Sequence, residues 1–327
     1  VQRCTSMATE GSGPNPLGHP VSCESGLNFP TCSSSERVVT VEGDALNPWS
    51  SFVPVLICGG RTRSGMGVTI RHTLLKPAYR LYEDRLVRHL DRDALPRHIG
   101  VIHDGHRRYA RHQRLPDYQA SYRVGMDKFE QFLQWTAELD IDAVTCWLLS
   151  TENLARSDDE LLPYYEVLTE LFERIPESSA GEDVRVRFIG SLDLLPGDLV
   201  ESAKRLEERC SSGSRRVTIA LAYGGRQEIV DAVKDLVADL ADEGVSAQGI
   251  ADHIDKHALS SRMYASDLPD PDMVLRTSGE ARLSGFLLWQ AAYAEYAFVD
   301  VYWPAFRKVD FLRALRDYTR RERRYGK

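Results

Sequence analysis

The chain lacks the features that mark secreted, zinc-binding and membrane-spanning proteins. None of its six cysteines forms a C-x-x-C pair, and no signal-peptide hydrophobic segment precedes them, so neither a zinc site nor a secreted disulfide framework is expected. The sequence also has no uninterrupted apolar run of about 18 residues, the length that a membrane-spanning helix needs. We therefore expect a soluble, cytoplasmic protein with reduced thiols.

Two further absences narrow the range of functions. The chain has 41 Lys and Arg against 48 Asp and Glu, with a formal net charge of −7, so its bulk charge opposes nucleic acid and we expect no nucleic-acid partner. It contains neither a G-x-x-x-x-G-K-[ST] loop nor a G-x-G-x-x-G motif after a strand, which excludes the two common nucleotide fingerprints. A phosphate site in this chain would have to use other groups.

The first part of the chain, residues 1–72, differs in composition from the rest. It is rich in Ser, Gly, Pro and Thr and lacks sustained hydrophobic periodicity, which is typical of a disordered extension. Over residues 73–327, apolar strands alternate with helical faces such as that of Leu161, Tyr165 and Leu168. This alternation predicts one α/β domain with a central, mostly parallel sheet flanked by helices.

Four charged segments follow predicted strands, where the ligands of open α/β sheets bind. They are residues 104–108 (DGHRR), 150–156 (STENLAR), 223–226 (YGGR) and 276–285 (RTSGEARLSG). Structural alternatives are a β-turn for the first, a helix N-cap at Ser150 or Thr151 for the second, and a strand-to-helix turn for the third. The fourth is typical of a phosphate-binding loop, because small residues separate Arg276 from Arg282.

A polyphosphate ligand would need a divalent cation such as Mg²⁺, which is bound through carboxylates. Asp104 and Glu295 are the carboxylates nearest the arginine-rich segments in sequence. Glu295 interrupts an apolar stretch, where a lone carboxylate is costly without a partner; the alternative is a surface Glu. Five apolar residues either line a pocket for an apolar substrate or belong to the core: Leu148, Leu149, Phe172, Phe286 and Trp289. Residue types alone thus predict an Mg²⁺-assisted diphosphate site.

Together these motifs resemble those of the cis-prenyltransferases, or isoprenyl transferases, the family of undecaprenyl diphosphate synthase. The resemblance covers about residues 73–327 and is carried by PRHIGVIHDGHRRYAR, LLSTENLAR, ALAYGGRQEIVDAV, PDPDMVLRTSGEARLSGFLLWQAAYAEYAFVDVYWPAF and RERRYG. Within the family the chain is most similar to the short-chain actinobacterial (2Z,6E)-farnesyl diphosphate synthases, through LLKPAYRLYEDRL, RRYAR, LLSTENL and FRKVDFLRALRDY. The resemblance implies an undecaprenyl diphosphate synthase-like fold. It also implies condensation of isopentenyl diphosphate with an allylic diphosphate, which we expect to be geranyl diphosphate, into a short cis-prenyl diphosphate.

The resemblance further implies a role for each matching residue. Asp104 would hold Mg²⁺ and assist departure of the allylic diphosphate, Asn153 would accept the proton, and Glu295 would share the metal. The allylic diphosphate would be cradled by Gly105, His106, Arg107, Arg108 and Tyr109; the reacting carbons would lie beside Ser150, Thr151, Glu152 and Arg156; and isopentenyl diphosphate would be bound by Arg276, Arg282, Leu283 and Ser284. The RYG ending at residues 324–326 would reach the partner's site in a homodimer, and the apolar product implies peripheral membrane contact.

Several positions depart from the family pattern. His103 stands in place of Met or Cys, His106 in place of Asn, and Tyr109 in place of Trp, while Tyr118 and Tyr122 stand where long-chain enzymes have Arg and His. These departures motivate a first alternative, a diverged member that makes longer, branched or cyclised products. A second alternative is a non-catalytic partner subunit. A third is a module that binds nucleic acid or a membrane surface through its basic C-terminal tail.

Overall fold

A six-stranded, wholly parallel sheet organises the computed structural model, which describes residues 81–321. The strand order is β3-β4-β2-β1-β5-β6. The strands are β1 (His98–Ile102), β2 (Ala143–Trp147), β3 (Val184–Ile189), β4 (Arg215–Ala220), β5 (Met273–Thr277) and β6 (Glu295–Val299). The predicted α/β fold with a parallel sheet is confirmed. The predictions for residues 1–72 and for the ending at residues 324–326 lie outside the described residues.

Helices flank the sheet, and a helical stretch over residues 81–89 precedes β1. The labelled helices are α1 (His106–Gln113), α2 (Tyr118–Glu138), α3 (Asp158–Arg174), α4 (Gly197–Arg209), α5 (Gly225–Asp242), α6 (Ala247–His253), α7 (Lys256–Ser260) and α8 (Lys308–Thr319). Short 3-10 turns at Thr151–Ala155, Gln290–Tyr293 and Trp303–Ala305 follow β2, precede β6 and precede α8. Within residues 81–321, no helix is long and apolar enough to cross a membrane.

Burial explains why the central strands read as nearly continuous apolar runs. Every residue of β1, β2 and β5 is buried, as expected for parallel strands covered on both faces. On one side of the sheet, Phe132 of α2 packs edge-on against Phe311 of α8 and against Trp303, with ring centroids 5.1 and 5.8 Å apart. This aromatic cluster fixes α2 and the C-terminal helix against the sheet.

The parallel arrangement brings the charged motifs to one edge of the sheet. Asp104 follows β1, Ser150 follows β2, Tyr223 follows β4, and Arg276 lies near the end of β5. An isolated bridge joins Ser150 to Tyr223. Since all carboxyl ends of a parallel sheet lie at the same edge, residues far apart in sequence meet there.

Candidate active site

A cavity of about 440 Å³ opens at the carboxyl edge of the sheet. Its polar lining is Asp104, Gly105, His106, Arg107, Arg108, Arg111, Ser150, Asn153, Arg156, Arg276, Glu280, Arg282 and Ser284. Its apolar and aromatic lining is Ile102, His103, Tyr122, Trp147, Leu148, Leu149 and Tyr164. The cavity therefore combines a cluster of cations with an apolar wall, as a ligand with an anionic head and an apolar tail requires.

Helix α1, which belongs to the first charged segment and borders the cavity, begins after Gly105. Gly105 is the N-cap of α1 with a φ of 106°, and a Cβ there would lie 2.8 Å from the Tyr302 ring. A side chain would therefore be strained and would clash, so the position requires glycine. The first bond of the helix runs from the Tyr109 amide to the Gly105 carbonyl, so the amides before Tyr109 lie outside the helical ladder. Such helix starts bind anions well.

Asp104 lies between two guanidinium groups. Its Oδ2 is 2.7 Å from Arg276 Nη2, and its Oδ1 is 3.3 Å from Arg108 Nη2. Partial burial alone would raise the pKa of Asp104, but the hydrogen bond and charge of Arg276, helped by Ser278 and Arg108, outweigh it and lower that pKa. The carboxylate is thus ionised at neutral pH. The Arg276 side chain is only 5% exposed, and it also donates to Ser284 Oγ at 2.9 Å.

A second carboxylate, Glu280, bridges an arginine of the first charged segment and an arginine of the fourth. It lies 2.8 Å from Arg108 Nη1 and 2.5 Å from Arg282 Nη1. Arg108 Nη2 also donates to Ser278 Oγ at 2.7 Å. Arg108 comes from the first motif and Arg282 from the fourth, so Glu280 holds together cations that the sequence separates by more than 170 residues.

A third carboxylate, Glu160, bridges one arginine of the first charged segment and one of the second. It lies 2.9 Å from Arg156 Nη1 and 3.3 Å from Arg107 Nη1, and Tyr122 Oη donates to it at 3.2 Å. Tyr122 packs edge-on against Tyr164, with ring centroids 4.6 Å apart. The Tyr122–Glu160 hydrogen bond therefore links the arginines of the cavity to its aromatic wall.

The His106 side chain faces helix α2 rather than acting as a cation in the cradle. Its Nδ1 lies 3.3 Å from the Ser121 carbonyl, and Ser121 Oγ donates to the His106 carbonyl at 2.7 Å. A carbonyl only accepts, so Nδ1 carries the proton and Nε2 the lone pair. Burial lowers the pKa of His106 to about 4, so the ring is neutral at neutral pH. Its ring packs over Gly125, where a Cβ would lie 2.0 Å from the ring.

His103 is part of the aromatic wall. The ring is 8% exposed and stacks on Trp303 with centroids 3.8 Å apart and an interplanar angle of 17°. Phe129 meets it edge-on at 5.6 Å. Burial lowers the pKa of His103 well below its usual value. Among the described residues neither ring nitrogen has a hydrogen-bond partner, so His103 acts here as a flat, uncharged side chain.

The structure brings most, but not all, of the predicted site residues to the cavity. Five of them do not line it: Tyr109, Thr151, Glu152, Leu283 and Glu295. Glu152 is exposed on a 3-10 turn, Thr151 contacts the backbone at Gly224, and Leu283 packs into the apolar cluster around Phe286.

Glu295 lies away from the cavity of its own chain. Through the strand registers, Ile99 aligns with Met273, and Met273 aligns with Glu295. Asp104 therefore lies five residues further toward the carboxyl edge, about 16 Å along the strand direction at roughly 3.3 Å per residue. Glu295 instead accepts a hydrogen bond from Arg321 at 2.6 Å. Asp104 and Glu295 cannot hold one metal ion within a single chain.

The predicted apolar lining is only partly right. Leu148 and Leu149 line the cavity. Phe172 packs against Phe188 in the core, with ring centroids 4.9 Å apart, and Phe286 stacks on Trp147 behind the cavity wall at 5.3 Å. Trp289 Nε1 donates to Ser260 Oγ at 2.9 Å, away from the site. For these three the alternative, a structural role, is correct.

Sequence reasoning missed several residues of the site, namely Tyr122, Glu160, Tyr164 and Glu280, of which only Tyr122 was noted, as a departure from the family pattern. A local signal existed for one of them. Glu160 stands four residues after Arg156, a spacing at which a carboxylate readily meets an arginine. Glu280 stands only two residues before Arg282, a spacing that predicts no contact by itself. No local signal identifies the tyrosines, because their place in the wall depends on how helices α2 and α3 pack.

Comparison with known proteins agrees with this geometry. Residues 102–326 match the family model described as "Putative undecaprenyl diphosphate synthase", and the chain belongs to this family of cis-prenyltransferases. "Isoprenyl transferase 1" of Corynebacterium efficiens is 46% identical over 76% of this chain and 97% of that protein. The "(2Z,6E)-farnesyl diphosphate synthase" of Mycolicibacterium smegmatis is 48% identical over 78% of this chain and 97% of that protein.

Solved structures give the same result for the fold. Lavandulyl diphosphate synthase from Lavandula x intermedia, in complex with dimethylallyl diphosphate, is similar with a TM-score of 0.66 and 28% identity, over 72% of this chain and 100% of that one. A probable undecaprenyl diphosphate synthase from Campylobacter jejuni has a TM-score of 0.57 and 28% identity, over 71% of this chain and 99% of that one. The family resemblance, the fold and the assignment as a prenyl-transferring enzyme of isoprenoid biosynthesis are confirmed.

Proposed function

We propose that the protein condenses isopentenyl diphosphate with an allylic diphosphate, geranyl diphosphate by preference, to form a short cis-prenyl diphosphate. The observation that carries this proposal is a cavity lined both by arginines from three separate segments of the chain and by apolar residues. Relatives named (2Z,6E)-farnesyl diphosphate synthase, 45–48% identical to this chain, support the short-chain reaction.

The allylic diphosphate would bind at the start of α1. Its bond to the allylic carbon breaks, and the departing diphosphate gains negative charge. Arg107, Arg108 and the free amides after Gly105 would stabilise that charge where it develops. The groups are already positioned by Glu160 and Glu280, so little reorganisation is needed when the charge forms.

Asp104 suits a Mg²⁺ ion that is shared with a substrate. Among residues 81–321 there is no group of three or more His, Cys, Asp or Glu that could hold a metal alone. Mg²⁺ in phosphate-transferring sites commonly uses one or two carboxylates and completes its shell with phosphate oxygens and water. Asp104 is ionised and borders the cavity, so the residues fit. When bound, Mg²⁺ would neutralise charge on the leaving diphosphate.

Isopentenyl diphosphate would bind beside the allylic diphosphate, at Arg276, Arg282 and Ser284, which Asp104 and Glu280 link to the first charged segment. Its double bond attacks the allylic carbon, and the resulting cation loses a proton to form the cis double bond. Ser150 and Asn153 line the cavity between the two arginine groups. We assign proton acceptance to the Asn153 amide oxygen; Ser150 Oγ accepts a hydrogen bond from the Asn153 backbone amide at 3.2 Å and so holds this turn in place.

The apolar wall would keep water from the allylic cation and limit product length. Leu148, Leu149 and Trp147 form its base, and exclusion of water prevents hydrolysis of such reactive species. The Tyr122–Tyr164 pair closes the wall, and Tyr164 Oη donates to the Leu148 carbonyl at 2.7 Å. Two large, buried rings at this point favour a short prenyl chain.

The test is turnover of the full chain with labelled isopentenyl diphosphate, Mg²⁺ and, separately, dimethylallyl, geranyl or farnesyl diphosphate. We expect a product one isoprene unit longer than geranyl diphosphate, with a new cis double bond. Long polyprenyl products would overturn the short-chain assignment. Absence of product from every donor would favour the non-catalytic partner subunit.

A second candidate is a branched or cyclised product. It is favoured by the similarity to lavandulyl diphosphate synthase and by the neutral, buried His103 and His106 in the cavity wall. Nuclear magnetic resonance of the dephosphorylated product separates the two candidates, because only a regular linear product keeps the head-to-tail carbon skeleton.

We further propose a cytoplasmic homodimer that contacts membranes peripherally when its apolar product is delivered. In support of the dimer, β6 is an edge strand of the described sheet, and Tyr293 and Phe298 beside it are 87% and 42% exposed; such edges invite pairing. The RYG ending at residues 324–326 belongs to this proposal. Light scattering of the purified chain tests the dimer, and vesicle sedimentation with and without product tests the membrane contact.

A further inference from the structure

Thr277, the last residue of β5, is a fully buried threonine that no step of the proposed reaction uses. Its exposure is 0%, and it does not line the cavity. Its hydroxyl nevertheless contacts the residue whose carboxylate we assign to Mg²⁺. Thr277 Oγ1 accepts a hydrogen bond from the Asp104 amide at 3.0 Å and donates to the Asp104 carbonyl at 2.9 Å. One hydroxyl, which can donate and accept at once, thus holds both backbone polar groups of Asp104.

Asp104 needs such contacts because it lies where the chain leaves the sheet. The registers of β1 with β2 and with β5 both end at Ile102. Helix α1 begins only at His106, after Gly105 with its φ of 106°. Backbone groups that leave a strand ladder need other hydrogen-bond partners, and the Thr277 hydroxyl supplies them at this turn.

Two backbone bonds complete the surroundings of Asp104. The Trp303 amide donates to the Asp104 carbonyl at 2.9 Å, and the Asp104 amide also donates to the Ile102 carbonyl at 3.0 Å. Both bonds remain possible when the Thr277 hydroxyl is removed. Loss of the hydroxyl should therefore loosen Asp104 locally and leave the turn folded.

Thr277 is itself firmly held, so it can serve as an anchor. It aligns with Val299 in the register of β5 with β6. The amide of the next residue, Ser278, donates to the Val301 carbonyl at 2.8 Å. The backbone on both sides of the Thr277 side chain is thus tied to β6 and the segment that follows it.

The neighbours of Thr277 hold other parts of the first charged segment. Arg276 Nη2 donates to the Asp104 carboxylate at 2.7 Å, and Ser278 Oγ accepts from Arg108 Nη2 at 2.7 Å. Both contacts involve guanidinium groups that a bound diphosphate would also attract. The contact from Thr277 is uncharged and lies outside the cavity, so it persists when a substrate enters.

We propose that Thr277 is a positioning residue for Asp104: its hydroxyl fixes the Asp104 backbone, so that the carboxylate keeps its aim when a diphosphate engages the neighbouring arginines. This inference rests on the proposed function for the assignment of Mg²⁺ and the allylic diphosphate to Asp104. A misplacement of about 1 Å at a reacting group can cost about a hundredfold in rate. Loss of the hydroxyl should therefore lower kcat, whereas the arginines that bind the substrates stay in place.

The experiment compares Thr277→Ser with Thr277→Ala in steady-state kinetics of the full chain with Mg²⁺. Both variants lose the same methyl group and only serine keeps a hydroxyl, so the comparison isolates one oxygen atom. We expect kcat of Thr277→Ala to be about tenfold or more below that of Thr277→Ser, with KM for each substrate equal within about threefold. Equal kcat values, or a loss confined to KM, would overturn the proposal.

Two further variants separate positioning from general stability. Thr277→Val keeps the side-chain volume, loses the hydroxyl and should behave as Thr277→Ala does, even if the void left by alanine impairs folding. Thr145→Val is the matched control: Thr145 of β2 is 1% exposed, and its hydroxyl lies 2.8 Å from His98 Nε2 at the start of β1. It should lower the melting temperature and leave kcat within about twofold. Equal losses of kcat in Thr145→Val and Thr277→Val would overturn the proposal.

Two readouts need no turnover and distinguish this inference from the proposed function. Hydrogen exchange at the Asp104 amide of the unliganded chain should be about tenfold or more faster in Thr277→Ala than in Thr277→Ser. Inorganic pyrophosphate binding is measured by calorimetry with Mg²⁺ and with a chelator, and the gain in affinity from Mg²⁺ should be about fivefold smaller in Thr277→Ala. If the wild type makes no product, the proposed function fails, but both differences would still support the positioning role. Equal exchange rates or equal gains would overturn it.

Discussion

Replacing Gly125 by alanine tests whether the His106 ring of the first charged segment packs against helix α2, as the structure places it. Gly125 lies in the interior of α2, where alanine is favoured over glycine by about 1 kcal/mol in helix propensity. Here the structure reverses that expectation. The new Cβ would lie 2.0 Å from His106 Cε1 and 2.8 Å from its Nδ1, so the ring must leave its place over the helix and lose its bond to the Ser121 carbonyl.

The magnitude follows from three contributions. Overpacking costs about 1–3 kcal/mol, a lost hydrogen bond about 0.5–1.5 kcal/mol, and the gain in propensity offsets about 1 kcal/mol. We therefore expect Gly125→Ala to lower the free energy of unfolding by about 1–3 kcal/mol, measured by urea denaturation at pH 7. Gly197→Ala is the matched control, because nothing lies within 4 Å of a Cβ at this position in the first turn of α4. That variant should be neutral or slightly stabilised.

A double-mutant cycle decides the cause. In a His106→Ala background the ring is gone, so Gly125→Ala should stabilise the protein by its helix propensity of about 1 kcal/mol, giving a coupling of about 2–4 kcal/mol. If Gly125→Ala is as stable as the wild type, or equally costly without the ring, then His106 does not occupy the space that the structure assigns to it.

Three further predictions follow from the charges of the site. First, folding lowers the pKa of His106 to about 4 from a usual value near 6.5. Between these two values the unfolded chain binds a proton at this histidine and the folded protein does not. Stability should therefore fall as the pH drops from about 6.5 to 4. His106→Asn should reduce this loss by about 1–3 kcal/mol, whereas His112→Asn, at an exposed position, should leave it unchanged in urea titrations across that range. Second, Glu280→Gln removes the anion that two arginines share and should tighten pyrophosphate binding by about twofold to tenfold in calorimetry; weaker binding would mean that the carboxylate is needed to aim the arginines. Third, Asp104→Asn should lower kcat by about a hundredfold or more and should also lower the free energy of unfolding by about 1–3 kcal/mol, because the buried Arg276 guanidinium loses its charged partner; unchanged turnover would refute the role of this carboxylate.

The parts of the molecule that the sequence predicts well are those with a local cause. The apolar strand ending at Trp147 and the helical face of α3 follow from periodicity alone, because burial on both faces or on one face sets the pattern. The charged motifs could likewise be placed at strand ends, and a parallel sheet then brings those ends to one edge. Asp104, Arg108 and Arg276 therefore meet as expected.

The parts that could not be predicted depend on register and on partners. Glu295 was assigned to the metal by family resemblance, but the register of β5 and β6 places it at the opposite end of its strand from the cavity. Phe172 and Phe286 are as apolar as Leu148, and only packing decides which of them borders a cavity. Glu160 and Glu280 each unite arginines from distant segments, an arrangement that no local window of sequence contains.

The position of β1 in the sheet has a consequence for how the protein is made. One neighbour of β1 is β2, but the other is β5, and the Asp104–Arg276 pair joins residues 172 apart in sequence. At about 5–20 residues per second, a ribosome needs on the order of ten seconds or more to add that length of chain. Throughout that interval the central strand has an open, apolar edge. The emerging chain should therefore be prone to aggregation and dependent on chaperones until β5, at the start of the last sixth of the chain, appears.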